Sequence, residues 1–371
     1  MRVYMDHNST TPIDPRVVDA MVSSLQDNYG NPSSAHSVGV SAAMAVERSR
    51  QQVAALVNAE GYQVVFCSSA TEAINTVVRV AGAGTLITSM VEHSATLESA
   101  KALAERGATI KEIRVDSHGT LDWATLERAV AQHPRLVSIM WANNETGVMF
   151  PIAEIAELCA AHEVLLHVDA VQAAGKIDID WMTLPIAFLS VSSHKIFGPK
   201  GIAALLVRDT ASLHPILVGG DQERGLRAGT ENVAGIVGFG QAAELARSER
   251  VERMSRAAML RDELENTILA QMPGTRVNGA GSPRVANTSS IEFPGIDSSD
   301  LAGVLDGMGI AVSSGSACHS KAISPSHVLM AMTGSRRVAS QSIRFSLSHL
   351  NTSSEVQYVV KSLGRALAAL S

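Results

Sequence analysis

Cysteine is almost missing from these 371 residues, with 3 copies at positions 67, 159 and 318. They stand too far apart for a metal knuckle and give no disulfide framework, so no metal site is expected. Aromatic residues make up only 4% of the chain, which argues against a platform for stacking single-stranded nucleic acid. Charged residues are sparse at 18%, and 36 acidic against 30 basic give a net charge of −6. Proteins that hold nucleic acid are usually strongly basic, so no direct nucleic-acid binding is expected. No apolar run approaches a membrane span, and the opening MRVYMDHNST lacks the apolar core of a signal peptide. The expected location is a reducing cytoplasm, with no membrane partner.

What is present is a hydrophobic chain, 46% apolar, long enough for two domains or three at roughly 150 residues each. Short apolar runs alternate with helix-period segments. Val64–Cys67, Thr85–Ser89, Ile110–Val115, Leu136–Trp141, Val164–Val168, Ala187–Ser192 and Ile202–Val207 read as strands. Most are near-continuous apolar runs, as in strands covered on both faces. Asp14-Pro15 reads as a cap and first helical residue, and Ile152, Ile155, Ala156 and Cys159 form one apolar helical stripe. The rhythm predicts an α/β fold: a mostly parallel seven-stranded sheet sandwiched by helices, with ligands at the carboxyl ends of its strands.

From about residue 249 the texture changes. A charged helical stretch, Ser248 to Met272, leads to a second αβ set with strands at Ile291–Phe293, Ile310–Val312 and Ile343–Ser346. Thr352 with Glu355 reads as a capping box opening the last helix. The expected division is a large domain of residues 13–248 and a smaller one of residues 1–12 and 249–371.

Several stretches carry chemistry. Ser192-Ser193-His194-Lys195 follows an apolar strand and runs into a Gly-Pro turn. A lysine there is ordinarily solvated, but at the open end of an α/β sheet it can form a Schiff base if its pKa is lowered. Asp169 ends the apolar strand LLHV. It is either a helix cap or a buried anion that keeps a heterocyclic nitrogen protonated, with Gln172 within reach of a neighbouring ring substituent. Ser69 and Glu72 read as a capping box, and the same helix start suits a phosphate. His93 sits at a strand-to-helix junction, and Asn144 lies in a polar turn, Asn143 to Gly147. Cys67 and Cys159 read as buried and inert. Cys318 lies in a Gly/Ser run, SSGSACHS, beside His319 and Lys321, which can favour its thiolate. Arg344 in an apolar strand needs an anionic partner, and a substrate carboxylate fits.

Together these stretches resemble the cysteine desulfurases of the nitrogen-fixation and iron–sulfur-assembly type, within the class V aminotransferase group. The resemblance runs through MDHNSTTPIDPRV, YGNPSSAHSVG, SATEA, EHSAT, MWANNETG, VDAVQAAGK, SSHKIFGPKG, GGDQERGLRAGTENVAG, SSGSACHS and SIRFSL, nearly the whole chain. It implies pyridoxal-phosphate fold type I, with the cofactor pyridoxal 5′-phosphate on Lys195, Asp169 at the ring nitrogen, Gln172 at the ring hydroxyl and His93 as a catalytic residue stacked on the ring that can also move protons. Ala70, Thr71, Ser192 and His194 match phosphate contacts. Thr230 matches one supplied in trans by the other subunit of a homodimer. Asn144 and Arg344 match residues near the substrate's amino-acid group, and Cys318 matches the nucleophile that takes the sulfur. The implied reaction turns L-cysteine into L-alanine and an enzyme persulfide, handed to a sulfur-acceptor protein such as a scaffold or thiolation factor. A selenocysteine lyase or another class V aminotransferase-type enzyme is the alternative. Ser69 stands where the family more often has glycine, Ser9 where it more often has alanine, and His319 and Lys321 where smaller neutral residues are commoner.

Overall fold

The computed structural model describes residues 2–208, 213–314 and 325–370. In chain order the first half holds β1 (Val3–Tyr4), α1 (Pro15–Asp27), α2 (Ser37–Ala55), β2 (Val64–Cys67), α3 (Ala70–Val78), β3 (Thr85–Ser89), α4 (Ser94–Ala104), β4 (Thr109–Ile113), α5 (Trp123–Val130), β5 (Leu136–Met140), α6 (Ile152–Ala161), β6 (Leu165–Asp169), β7 (Phe188–Ser192) and β8 (Ala203–Val207). The second half holds α7 (Val233–Ser248), α8 (Arg250–Gln271), β9 (Arg276–Val277), β10 (Thr288–Glu292), α9 (Ser298–Gly307), β11 (Ile310–Ala311), α10 (His327–Thr333), α11 (Arg336–Ser340), β12 (Ser342–Ser346) and α12 (Ser353–Leu370). Among the described residues no helix is long and apolar enough to cross a membrane.

Seven strands make the central sheet in the order β2-β8-β7-β6-β5-β3-β4. β4, β3, β5, β6 and β7 run parallel; β8 runs against them, and β2 at the edge pairs antiparallel with β8 and so returns to their direction. All seven strands expected there form, β2 and β3 with the expected bounds and the other five with shifted ends. β4 begins one residue earlier and stops two short of Val115, which instead bridges Leu121. β6 runs one residue further, so Asp169 is itself paired, opposite Met140 and Ser190.

Successive residues of a strand face opposite layers. Val64 and Phe66 join the core under α1, α2, α6 and α7, while Val65 and Cys67 join that under α3 and α4. The stripe Ile152, Ile155, Ala156 and Cys159 is fully inside. Asp14 caps α1 by accepting from the Arg16 N–H, with Pro15 following it. Both halves of the Thr352–Glu355 capping box are made, at 3.3 and 2.8 Å.

A further apolar cluster gathers α8, α9, α12, β10 and β12 with Val3 and Met5 from the start of the chain. Here β12-β10-β9 form an antiparallel sheet, and β1 pairs with β11. β10 begins at Thr288, earlier than Ile291–Phe293, because Thr288, Ser289 and Ser290 are buried strand residues despite their hydroxyls.

Candidate active site

The chain crosses over at β3, with β4 on one side and β5 on the other. Such a switch point opens a crevice at the carboxyl ends of the strands. A cavity of about 540 Å³ lies at that end, lined by residues of both halves of the chain.

One wall grows from the central sheet. Asp169 is buried at the end of β6, where Oδ1 accepts the Val171 N–H at 2.9 Å. Burial pushes its carboxyl up to about 6, against the lowering pull of Lys195. β7 leads through Ser192 into the turn that carries His194 and Lys195. Two features hold that turn. Phe197 adopts a left-handed φ of +68°, a strained conformation for a bulky residue, fixed by its N–H on Thr11 Oγ1 at 2.9 Å and its carbonyl on the Asp14 N–H at 2.9 Å. A Cβ at Gly198 would lie 2.0 Å from Ser193 Oγ, so only glycine fits. Lys195 Nζ donates to the carbonyls of Asn8 and Ser9, each at 2.6 Å.

His93 caps α4: its Nδ1 accepts the Ala95 N–H at 3.1 Å, which leaves the proton on Nε2. Burial first, and then the charges of Lys195 and His327, lower its pKa to about 4, so the ring is neutral at pH 7. α3 starts at the cavity, and Ser69 Oγ accepts the Glu72 N–H at 3.2 Å. The expected capping box is not closed. Glu72 reaches past the cap to the Ser68 N–H at 2.7 Å and pairs with Arg227 at 3.0 Å, so the ion pair draws it off the reciprocal bond. The N–H groups of Ala70 and Thr71 have no acceptor within the helix.

The opposite wall comes from the start of the chain and the second sheet. Arg344 donates to Asp6 at 2.6 Å and to the Asn144 carbonyl at 3.0 Å. The anion expected for Arg344 is therefore supplied by this chain's Asp6, while its buried Nε makes no hydrogen bond among the described residues. Asn144 follows an Asx turn, with Asn143 Oδ1 accepting from the Glu145 and Thr146 N–H groups at 2.9 Å. The plain-turn reading and the cavity-lining reading both hold there. Gln172 is buried, with Nε2 on the Asn8 carbonyl at 2.9 Å.

The cavity thus brings together Ala70, Thr71, His93, Asn144, Asp169, Gln172, Ser192, His194, Lys195 and Arg344. Thr230 is exposed and stands outside the lining of its own chain's cavity. Cys318, His319 and Lys321 lie outside the described residues. Cys67 and Cys159 are buried thiols whose pKa values burial raises, to about 12 for Cys159.

Three residues escaped the sequence reading. Asn8 receives Lys195 and Gln172 on its carbonyl, while its side chain donates to Thr288 and the Asn144 carbonyl. Lys176 donates to Gln172 and Asn8. Glu92 is wholly buried and accepts from Ser89 Oγ at 2.5 Å and the Met140 N–H at 3.1 Å, leaving Oε2 without a described partner. Burial pushes Glu92 up to about 8, so it is mostly protonated at neutral pH. The four-residue spacing of Gln172 and Lys176 was the one available signal, and the run of turns after β6 brings the two side chains together.

The family model described as Aminotransferase class-V matches residues 3–359. A cysteine desulfurase from Nostoc sp. is 45% identical over 364 residues, covering 97% of this chain and 91% of that protein. A solved structure described as a NifS-like protein is 38% identical, covers 100% of both chains and superposes with a TM-score of 0.93. Another, SspA in complex with cysteine, is 30% identical over 93% of this chain and 98% of its own, with a TM-score of 0.82. The chain belongs to the class-V aminotransferases, a family of pyridoxal-phosphate-dependent enzymes in general, and it shares the mixed α/β fold of its solved NifS-like relatives. Within that family it is an enzyme of the cysteine desulfurase group.

Proposed function

We propose that this protein removes sulfur from L-cysteine, releases L-alanine and holds the sulfur as a persulfide on Cys318 for an acceptor protein. The observation that carries the reading is the convergence of a buried acid, Asp169, and an amine, Lys195, on one cavity in a chain of this family.

Pyridoxal 5′-phosphate fits the donor set. Asp169 is a buried carboxyl with a single described donor, and a pyridinium N–H is the kind of partner that returns it to the ionised form. Lys195 would hold the aldehyde carbon, Gln172 the ring hydroxyl, and the neutral His93 ring would stack. Ala70 and Thr71 N–H groups at the start of α3, with Ser192 and His194, would hold the phosphate. When bound, the cofactor supplies an electron sink for bond breaking at the substrate's α-carbon.

The chain's own groups do the rest. Asn144 and the Arg344 guanidinium orient the substrate's amino-acid group. Lys195 Nζ, once freed, takes the proton from the α-carbon and returns protons to the carbon fragment. His93, neutral with its proton on Nε2, stands on the cavity wall to move protons as well. Cys318 Sγ, as thiolate, forms an S–S bond to the substrate sulfur while the substrate C–S bond breaks. The bonding pair stays with the carbon fragment, which is protonated and leaves as alanine. The persulfide then passes to a scaffold or thiolation factor, with iron–sulfur cluster assembly as one destination.

We read residues 13–248 as the large domain, and 1–12 with 249–371 as the small one, because the apolar cluster holding Val3 and Met5 is that of α8, α9 and α12. The unit is a homodimer in which Thr230 reaches the other subunit's phosphate. Its exposure, and that of Val22, Leu25, Tyr29, Met44 and Val218, supports this assembly. Two free thiols among the described residues agree with a cytoplasmic location.

The test is Cys318→Ser beside Lys195→Ala. The serine variant keeps the cofactor's visible band and stops releasing sulfur and alanine, while the alanine variant loses the band. Undiminished sulfur release by Cys318→Ser overturns the reading.

A further inference from the structure

A second amine stands beside the cavity, four residues beyond Gln172. Lys176 Nζ donates to Gln172 Oε1 at 2.7 Å and to Asn8 Oδ1 at 3.0 Å. Both acceptors are neutral carboxamide oxygens. Burial first, and then the charges of Lys195 and Arg344, lower its pKa to about 7. A carboxylate would hold an ammonium in a partly buried place better than two amides do, so cation retention does not explain the arrangement.

The chemistry of the contacts does. A glutamine carboxamide has two ends of nearly the same shape and opposite character. A lysine ammonium only donates, so it selects the oxygen end. A backbone carbonyl only accepts, so it selects the nitrogen end, and Gln172 Nε2 donates to the Asn8 carbonyl at 2.9 Å. The two contacts set the amide in one sense. One N–H of Nε2 is used on Asn8, and the other remains for the cavity that Gln172 lines. With Lys176 gone, only the Asn8 carbonyl would oppose the flip.

We propose that Lys176 is a positioning residue that fixes the Gln172 carboxamide with an N–H available to the ring oxygen of pyridoxal phosphate. This rests on the reading of Gln172 as the ring-hydroxyl contact. The titratable and charged groups around Lys176 are His7 on the opening segment, Lys195 on the turn after β7, and Arg344 on β12. Burial holds His7 down at about 4, so it is neutral in the working range and brings no charge to Lys176.

The experiment compares the parent protein, Lys176→Met, Gln172→Ala and the double variant. Each is loaded with pyridoxal 5′-phosphate, and its visible absorption is followed across pH. Binding of the cofactor to each apoprotein is titrated separately. An N–H donor favours the deprotonated ring oxygen, so losing it raises the pH at which the band interconverts. Lys176→Met raises that pH by about one unit, a tenfold change in acid dissociation, and weakens cofactor binding several-fold. In the Gln172→Ala background the same substitution moves the band far less. Should Lys176→Met fail to fold, Lys176→Gln, whose side chain is shorter, shows the same shift. An unmoved band, or an equal shift with and without Gln172, overturns the role of Lys176. If the parent protein forms no visible band with the cofactor, the cofactor reading itself falls.

Discussion

The two walls of the cavity are built by opposite means. The central-sheet wall is mostly apolar: β5, β6 and β7 carry Val137, Ile139, Leu166, Val168, Leu189 and Val191 inside, crossed by one buried polar thread, Ser138–His167–Ser190, at 2.8 Å each. The second sheet sends Ile291, Ile343 and Phe345 into its own apolar cluster, yet buries many more polar side chains along the same strands. Thr288 meets Asn8 at 2.8 Å, Ser289 meets Glu265 at 2.6 Å, and Ser290 and Ser342 share the Asn278 amide at 3.1 and 3.0 Å. Packing dominates the first wall, and hydrogen bonds carry a larger share of the second. Groups on the first wall can therefore be desolvated and shifted in pKa, as Asp169 and Glu92 are. The second wall fixes orientation through Asn8 and Arg344.

The largest effect comes from emptying the apolar wall of its acid. Asp169→Ala is expected to lower kcat/KM by about 10²–10³-fold or more. Asp169→Glu should lose much less, because it keeps an anion in place. Steady-state sulfide release checks this. Equal losses in the two variants would mean that position, not charge, is what matters there.

The polar wall should break differently. Arg344 is 6% exposed, and removing its partner leaves a buried cation uncompensated. Asp6→Asn should cost about 3 kcal/mol in denaturant unfolding. Its kinetic loss should sit in KM, since the guanidinium is freed from the Asp6 carboxylate without leaving the cavity. A fall in kcat alone would place Asp6 in the chemistry instead.

These differences explain what was legible. Apolar strands announce themselves, so the seven-stranded sheet and its parallel character were readable, and Asp169 and Lys195 stood out as polar residues ending apolar runs. β10 was half missed because Thr288-Ser289-Ser290 looks like a loop until Asn8, Glu265 and Asn278 are beside it. Asn8 and Lys176 were invisible for the same reason: 168 residues separate them, and no local pattern encodes the contact. Arg344 announced its need for an anion, but only the fold could supply Asp6. The family resemblance gathered Thr230 and Cys318, which the described cavity does not.

The pH dependence of the apoprotein sharpens the contrast. Glu92 has a folded pKa of about 8, above its ordinary value of 4.5. The folded state then binds more protons than the unfolded state between those values, so this group's effect is to lower stability as pH rises through the window. Glu92→Gln removes the ionisable proton and keeps an acceptor for Ser89. It should raise apoprotein stability above about pH 8 by one to a few kcal/mol and leave stability near pH 4 little changed. Thermal unfolding at both pH values checks the sign. His93 and His167 act the other way: burial lowers them to about 4 and 3. Their contribution is lost as pH falls from about 6.5 toward those values, because the unfolded chain takes up protons first.

The smallest expected effect separates a cap at the cavity from a cap away from it. Thr352 and Glu355 close a reciprocal box on α12, whereas Ser69 caps α3 while Glu72 turns to Ser68 and Arg227. Each alanine substitution removes one side-chain acceptor from a helix start, so Thr352→Ala and Ser69→Ala should each cost about 1 kcal/mol of stability. Thr352 is remote from the cavity lining, and its loss should leave cofactor affinity unchanged. Ser69 lines the cavity, and its cap orders the N–H groups of Ala70 and Thr71. Ser69→Ala should therefore also weaken binding of pyridoxal 5′-phosphate to the apoprotein by a few-fold, read by titration of the visible band. Equal affinity in both variants would show that the start of α3 is held by the Glu72–Arg227 pair alone, and that Ser69 matters only to the helix.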